Sequence, residues 1–268
     1  MSPSRVIRSY LVISGIFTLS ASLIWGINTL FLLDAGLTIF QVFVANAVFT
    51  AAMALFEIPT GVVADTRGRR ASFLLSEAII CVGTLAYVGV AAIHGGLLLF
   101  CLASVILGLG YTFYSGAVEA WLVDALKATG YERELDGVFA RASIVSHVAM
   151  IIGTVGGGLL GTLDLSIPYL VRAGLILIAF AIGFRTMHDI GFEPRTMQMM
   201  ASDSRNDARR PRVSATTPVG ISNSAMAAVN TAFATNTWKI VRPACSRNSV
   251  LMPQISEADK VKSALMTR

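Results

Sequence analysis

Charged residues are missing from four long stretches of the chain, 10–33, 36–56, 78–93 and 95–118. The polar residues inside them are mostly single Ser, Thr, Asn or Tyr positions in an apolar background. A helix rises 1.5 Å per residue, so ~18 or more apolar residues suffice to cross ~30 Å of hydrocarbon. Buried helices of soluble cores rarely stay charge-free that long. The runs and their breaks predict six membrane-spanning helices, at 10–33, 39–63, 72–93, 97–122, 138–162 and 167–187. The first follows Arg5 and Arg8, as the h-region of a signal peptide would. It exceeds the ~7–15 residues of such a region, and five further spans follow, so it reads as a span.

Composition agrees. Mean hydropathy is +0.68 and 14% of the 268 residues are charged, against about 25% in soluble domains. A soluble enzyme and a nucleic-acid-binding domain are excluded. The three cysteines, Cys81, Cys101 and Cys245, are scattered and frame neither a disulfide scaffold nor a metal site. Residues 1–188 carry ten basic and ten acidic side chains, so the net charge of +5 belongs wholly to 189–268. The high pI is thus a property of that segment and does not mark a nucleic-acid partner. Lys and Arg fall at the N-terminus (Arg5, Arg8), after span 2 (Arg67, Arg69, Arg70), between spans 4 and 5 (Lys127, Arg133, with Arg141 just inside span 5) and at the end of span 6 (Arg185). The alternate connections, 34–38, 94–96 and 163–167, hold none. That segregation predicts both termini in the cytoplasm of a plasma (inner) membrane protein. The expected fold is all-α, with a six-transmembrane-helix bundle over 1–188. A basic, polar, mostly disordered cytoplasmic tail is expected over 189–268.

Between spans 2 and 3 lies Gly61-Val-Val-Ala-Asp65-Thr-Arg67-Gly68-Arg69-Arg70. Gly61 removes a side chain and so permits close helix approach. Asp65 stands at a helix end, Gly68 suits a turn with positive φ, and the arginines favour the cytoplasmic side. The pattern closely resembles the loop motif of major facilitator superfamily transporters, in sequence, position and sidedness. Thr66 stands where that family often has a basic residue. The resemblance implies one half of a major facilitator fold, of drug-efflux-like type. It also implies a conformational latch with Asp65 as its acid and Arg67 or Arg70 as its basic partner. Glu119 and Asp124, at the inner end of span 4, are the candidate acids for latching or proton coupling. Gly153, Gly157 and Gly161 share one face of span 5 and predict backbone-to-backbone helix packing. They resemble the glycine-rich fifth helix of antiporter-type members, without its usual proline.

In that family spans 1, 2, 4 and 5 line a central cavity. Ser14, Thr18, Ser22, Trp25 and Thr29 fall within ~80° on span 1, and Tyr111, Tyr114, Ser115 and Glu119 share a face of span 4. The substrate candidates are Ser14, Thr18, Trp25, Asn28, Tyr111, Tyr114, Ser115 and His147. Span 3 is expected to face lipid, Glu77 to reach water or the loop arginines, and Arg172 to snorkel to the membrane surface. Asn28 and Asn46 are expected to hydrogen-bond between helices.

The reading is a secondary transporter, not an enzyme. It would move a small organic solute by alternating access, as proton-coupled efflux, with no cofactor or metal. Its partners would be the solute, the lipid bilayer, and a second half or a parallel homodimer; nucleic acid is excluded. Trp238-Lys-Ile-Val-Arg242 resembles the amphipathic linker between family halves. A seventh span does not follow it, so the chain is expected to be a truncated half. One alternative is a non-transporting remnant or regulatory membrane protein. A remote one is an intramembrane serine protease using Ser115 and His147.

Overall fold

The computed structural model describes residues 2–131 and 134–192. Arg133, Cys245, the 238–242 stretch and the tail from residue 193 onward lie outside them. Among the described residues there are seven helices and no strand. They are α1 (Pro3–Trp25), α2 (Asn28–Asp34), α3 (Ile39–Arg67), α4 (Arg69–Ala92), α5 (Gly96–Ala128), α6 (Asp136–Gly161) and α7 (Ile167–Thr186). All but α2 are long and apolar enough to cross a membrane.

The six predicted spans are all present, with two differences. Span 1 is two helices, because the chain turns at Gly26 and Ile27 before resuming as α2. The 61–70 stretch is almost wholly helical. No helix breaker stands between Val63 and Arg67, and the Thr66 hydroxyl donates back to the Val62 carbonyl at 2.8 Å. Only Gly68 interrupts, at φ 107° and ψ 148°.

Local chemistry sets the other boundaries. α3 begins with a reciprocal cap: the Thr38 N–H donates to the Gln41 side chain at 2.9 Å, and the Gln41 N–H to the Thr38 hydroxyl at 3.4 Å. α7 begins with Pro168 in its first turn, where the missing N–H costs nothing. Asp164 accepts the Ser166 N–H at 2.7 Å just before it.

α1 packs against α6 and α7, while α5 packs against α3 and α4, and α4 also meets α7. The α1–α6 seam is the closest. Gly153 lies on Leu19 and Ser22, and Gly161 lies near Ile27. A Cβ on Gly157 would collide with the Leu23 carbonyl. α4 turns Ser72, Ser76, Glu77, Thr84 and Tyr87 into the bundle interior, while Leu75, Val82 and Leu85 are exposed on its outer, apolar face. At 100° per residue the inward positions fall within ~140° of one another, on one broad stripe. Hydropathy could not show that the stripe points inward. Broad uncovered faces also belong to α3 (Phe40, Phe43, Leu55, Ile58) and α6 (Ile144, Ile151, Ile152, Leu159).

Gly157→Ala should therefore destabilise the fold by about 1–3 kcal/mol through overpacking. Gly158→Ala, whose added methyl meets nothing within 4 Å, should leave it unchanged. Thermal unfolding of the detergent-purified chain measures the difference.

Candidate functional site: the arginine-rich end and the polar interior

The α3–α4 junction brings three helices together through one guanidinium. Arg69 opens α4, with its Nη2 2.5 Å from Asp65 Oδ1 and its Nε 3.5 Å from Asp124 Oδ2. Asp65 lies in the last turn of α3 and Arg69 in the first turn of α4, and the turn at Gly68 between them brings the two side chains together. Asp124 reaches in from the end of α5. Arg69 is 13% exposed, which shields the bridge from the screening that weakens open surface pairs.

The basic partner of Asp65 is thus Arg69. Arg67 is exposed and makes no ion pair among the described residues. Arg70 turns elsewhere. Its N–H donates to Asp189 Oδ1 at 2.9 Å, its Nη2 donates to the Phe184 carbonyl at 2.8 Å, and its guanidinium lies 4.9 Å from the Phe184 ring centre. Asp189 caps the start of α4, where Gly68 has no side chain to do so. Gly68 is required twice: for its positive φ, and because a Cβ there would approach the Asp189 carboxylate to 2.6 Å. Trp121 fastens the same segment, its Nε1–H donating to the His188 carbonyl at 2.9 Å. Glu119 is exposed on α5 and forms no ion pair among the described residues. Gly61 faces Gly116 of α5: a Cβ added to Gly116 would lie 4.0 Å from the Gly61 Cα, while one added to Gly61 meets nothing within 4 Å. The tight α3–α5 contact lies at Gly108, against the Phe49 carbonyl and Ala52.

The span 1 stripe divides. Ser22 is fully buried and donates to the Thr18 carbonyl at 2.7 Å, beside Gly153, so it serves packing. Ser14 is also buried, while Thr18, Trp25 and Thr29 are half-buried. Tyr114 stacks parallel on Phe17 at 3.4 Å between ring centres, and Tyr111 meets Phe17 and Phe49 edge-on at 5.5 Å each. Asn28 joins three elements: its Nδ2 donates to Asn46 Oδ1 at 3.1 Å, and it accepts the Tyr169 hydroxyl at 2.8 Å. Ser115 donates to the Thr112 carbonyl at 3.2 Å, and His147 Nδ1 lies 2.6 Å from the Ser143 carbonyl. Each contact stays within its own helix, and α5 and α6 are not a packed pair. No Ser–His dyad forms.

Two charges take unexpected places. Arg172 does not snorkel outward. It is 1% exposed and its Nη2 donates to the Tyr111 hydroxyl at 3.0 Å. Glu77 does not reach water or the loop arginines. It is 0% exposed, and neither carboxylate oxygen has a hydrogen-bond partner among the described residues. Sequence reading gave no signal for either, because helix rotation decides whether a charge near a span end faces in or out. Asp189, the first residue of the expected tail, was likewise illegible as a cap for a helix 119 positions earlier.

Arg172→Met alone should cost about 1–3 kcal/mol by leaving the buried Tyr111 hydroxyl without its guanidinium partner. Tyr111→Phe should cost less in that background than in the unaltered chain, as read by thermal unfolding. A strictly additive cycle would show that the two groups do not interact. In comparison with known proteins, no curated protein matches the chain. The sequence profile of the Major Facilitator Superfamily matches residues 10–242. With its six membrane-length helices and the charge-bridged junction between the second and third, the chain belongs to the major facilitator superfamily of membrane transporters.

Proposed function

We propose that the chain acts in secondary transport of a small amphipathic organic solute, exported against protons by alternating access. Its arginine-rich end and both termini would lie in the cytoplasm, in a plasma membrane. The observation that carries the reading is the Arg69 bridge between Asp65 on α3 and Asp124 on α5. A single cation holding two helices at one end of the bundle is a latch that opens when either carboxylate is lost. The Phe17, Phe49, Tyr111 and Tyr114 rings, with half-buried Thr18 beside them in sequence, suit a solute with both apolar and polar groups. Ser115 and Glu119 are exposed on one face of α5, and His147 is exposed on α6. These are the candidate solute and proton groups. The uncovered apolar faces of α3 and α6 are where a second six-helix unit, from a parallel copy or a second half, would close the cavity.

Inverted membrane vesicles carrying the chain and energised by a pH gradient would test this, with ethidium as the reporting organic cation. Asp65→Asn should lower uptake about tenfold or more at unchanged protein level, because the latch acid loses its charge. Glu119→Gln should remove the dependence on the gradient. Undiminished uptake in Asp65→Asn would overturn the latch.

A further inference from the structure

The first turns of α1 and the last turn of α7 enclose a cavity of about 650 Å³ at the arginine-rich end. Its charged lining is Arg5, Arg8 and Arg185, with Ser9, Thr186 and His188 as further polar groups, and no acidic residue among those described contributes to it. Val12 and Ile182 continue the lining along the helices toward the apolar part of the bundle. The grouping follows from helix geometry. Arg5, Arg8 and Val12 recur at spacings of three and four on α1, as do Ile182 and Arg185 on α7, so two stripes face each other across a packed seam.

Among the described residues the positive charge here is uncompensated. None of the three arginines forms an ion pair among the described residues. Asp189, next to His188 in the chain, is committed to the Arg70 N–H. α1 adds to the imbalance. It has no acidic residue in its first turn, and Ser2 at its N-cap makes no side-chain cap bond. The positive dipole end of a long helix thus sits beside two arginines. A second cavity, of about 870 Å³, flanks the other side of the same α1 turns, and there Glu134 stands with Arg141. The charge of the first cavity is therefore particular to it and not a general property of this end.

We propose that this cavity binds the phosphate headgroup of an anionic glycerophospholipid. Arg5, Arg8 and Arg185 would hold the phosphate oxygens, and the acyl chains would run along Val12 and Ile182. Guanidinium groups match phosphate oxygens in geometry as well as charge. Basic pockets between helix ends at the membrane surface meet headgroups at that depth. The apolar lining favours a lipid over free phosphate, which would leave it unused. The site concerns the bilayer and goes beyond the transport reading. Its wall includes His188, the residue pinned by Trp121, so an occupied site would brace the segment that caps α4.

Native mass spectrometry of the detergent-purified full chain tests the proposal, with phosphatidylglycerol and phosphatidylcholine of identical acyl chains as probes. Phosphatidylglycerol should bind more tightly. Each of Arg5→Gln, Arg8→Gln and Arg185→Gln should weaken it about fivefold, and the three together about a hundredfold. Arg141→Gln should not change it, and inorganic phosphate at millimolar concentration should not displace it. A photoreactive phosphatidylglycerol applied to the unmodified chain should cross-link peptides containing 5–12 and 182–190, which needs no variant to fold. Equal binding of the two lipids, retention by the triple variant, equal loss in Arg141→Gln, displacement by phosphate, or cross-links confined elsewhere would each overturn it.

Discussion

Hydrocarbon offers no hydrogen-bond partner, so every backbone N–H and C=O that enters it must be matched within the chain. Six long helices meet that demand, and the same demand governs their side chains. Ser22, Thr60, Thr84 and Thr112 return their hydroxyls to carbonyls of their own helices. With no strong hydrophobic drive between spans, association rests on close van der Waals contact and a few polar bonds. The Gly153–Gly157 contact with α1 supplies the first. Tyr87 with Ser104, and Tyr169 with Asn28 and Asn46, supply the second.

The arginine-rich end answers a different demand, since water and headgroups are available there. Short charged contacts fix the geometry of the span ends. Gly68 lets α3 turn directly into α4, and that turn puts Arg69 within reach of both Asp65 and Asp124. The chain after α7 returns beneath the junction, where Asp189 caps α4 and the His188 carbonyl receives Trp121. Elements distant in sequence thus share one small region, where Asp65, Arg69, Asp124 and Asp189 lie close together.

The interior pair is the costly exception. Glu77 and Arg172 lie inside the bundle, and only Tyr111 is in hydrogen-bond contact with either. Ionisable groups within membrane spans are expensive and usually functional or paired. Glu77 and Arg172 sit on α4 and α7, two helices that pack together, without forming an ion pair. Tyr111, which also packs on Phe17 and Phe49, links Arg172 to the aromatic face read as the solute path.

The sequence by itself determined the number of spans, their approximate limits, the alternation of basic ends and the transporter motif. These follow from local hydropathy and short spacings, which survive without knowledge of packing. It also made Gly153, Gly157 and Gly161 legible as one helix face. It could not settle helix rotation. The burial of Arg172 and Glu77, the inward turn of α4, and the choice of Arg69 over Arg67 as partner to Asp65 all depend on where each face points. It could not foresee Asp189 on α4 or Arg185 beside Arg5, because those pairings join chain segments more than a hundred residues apart. Only the tertiary structure decided these, since a side chain's role in a membrane bundle is set by the neighbour it meets across a seam.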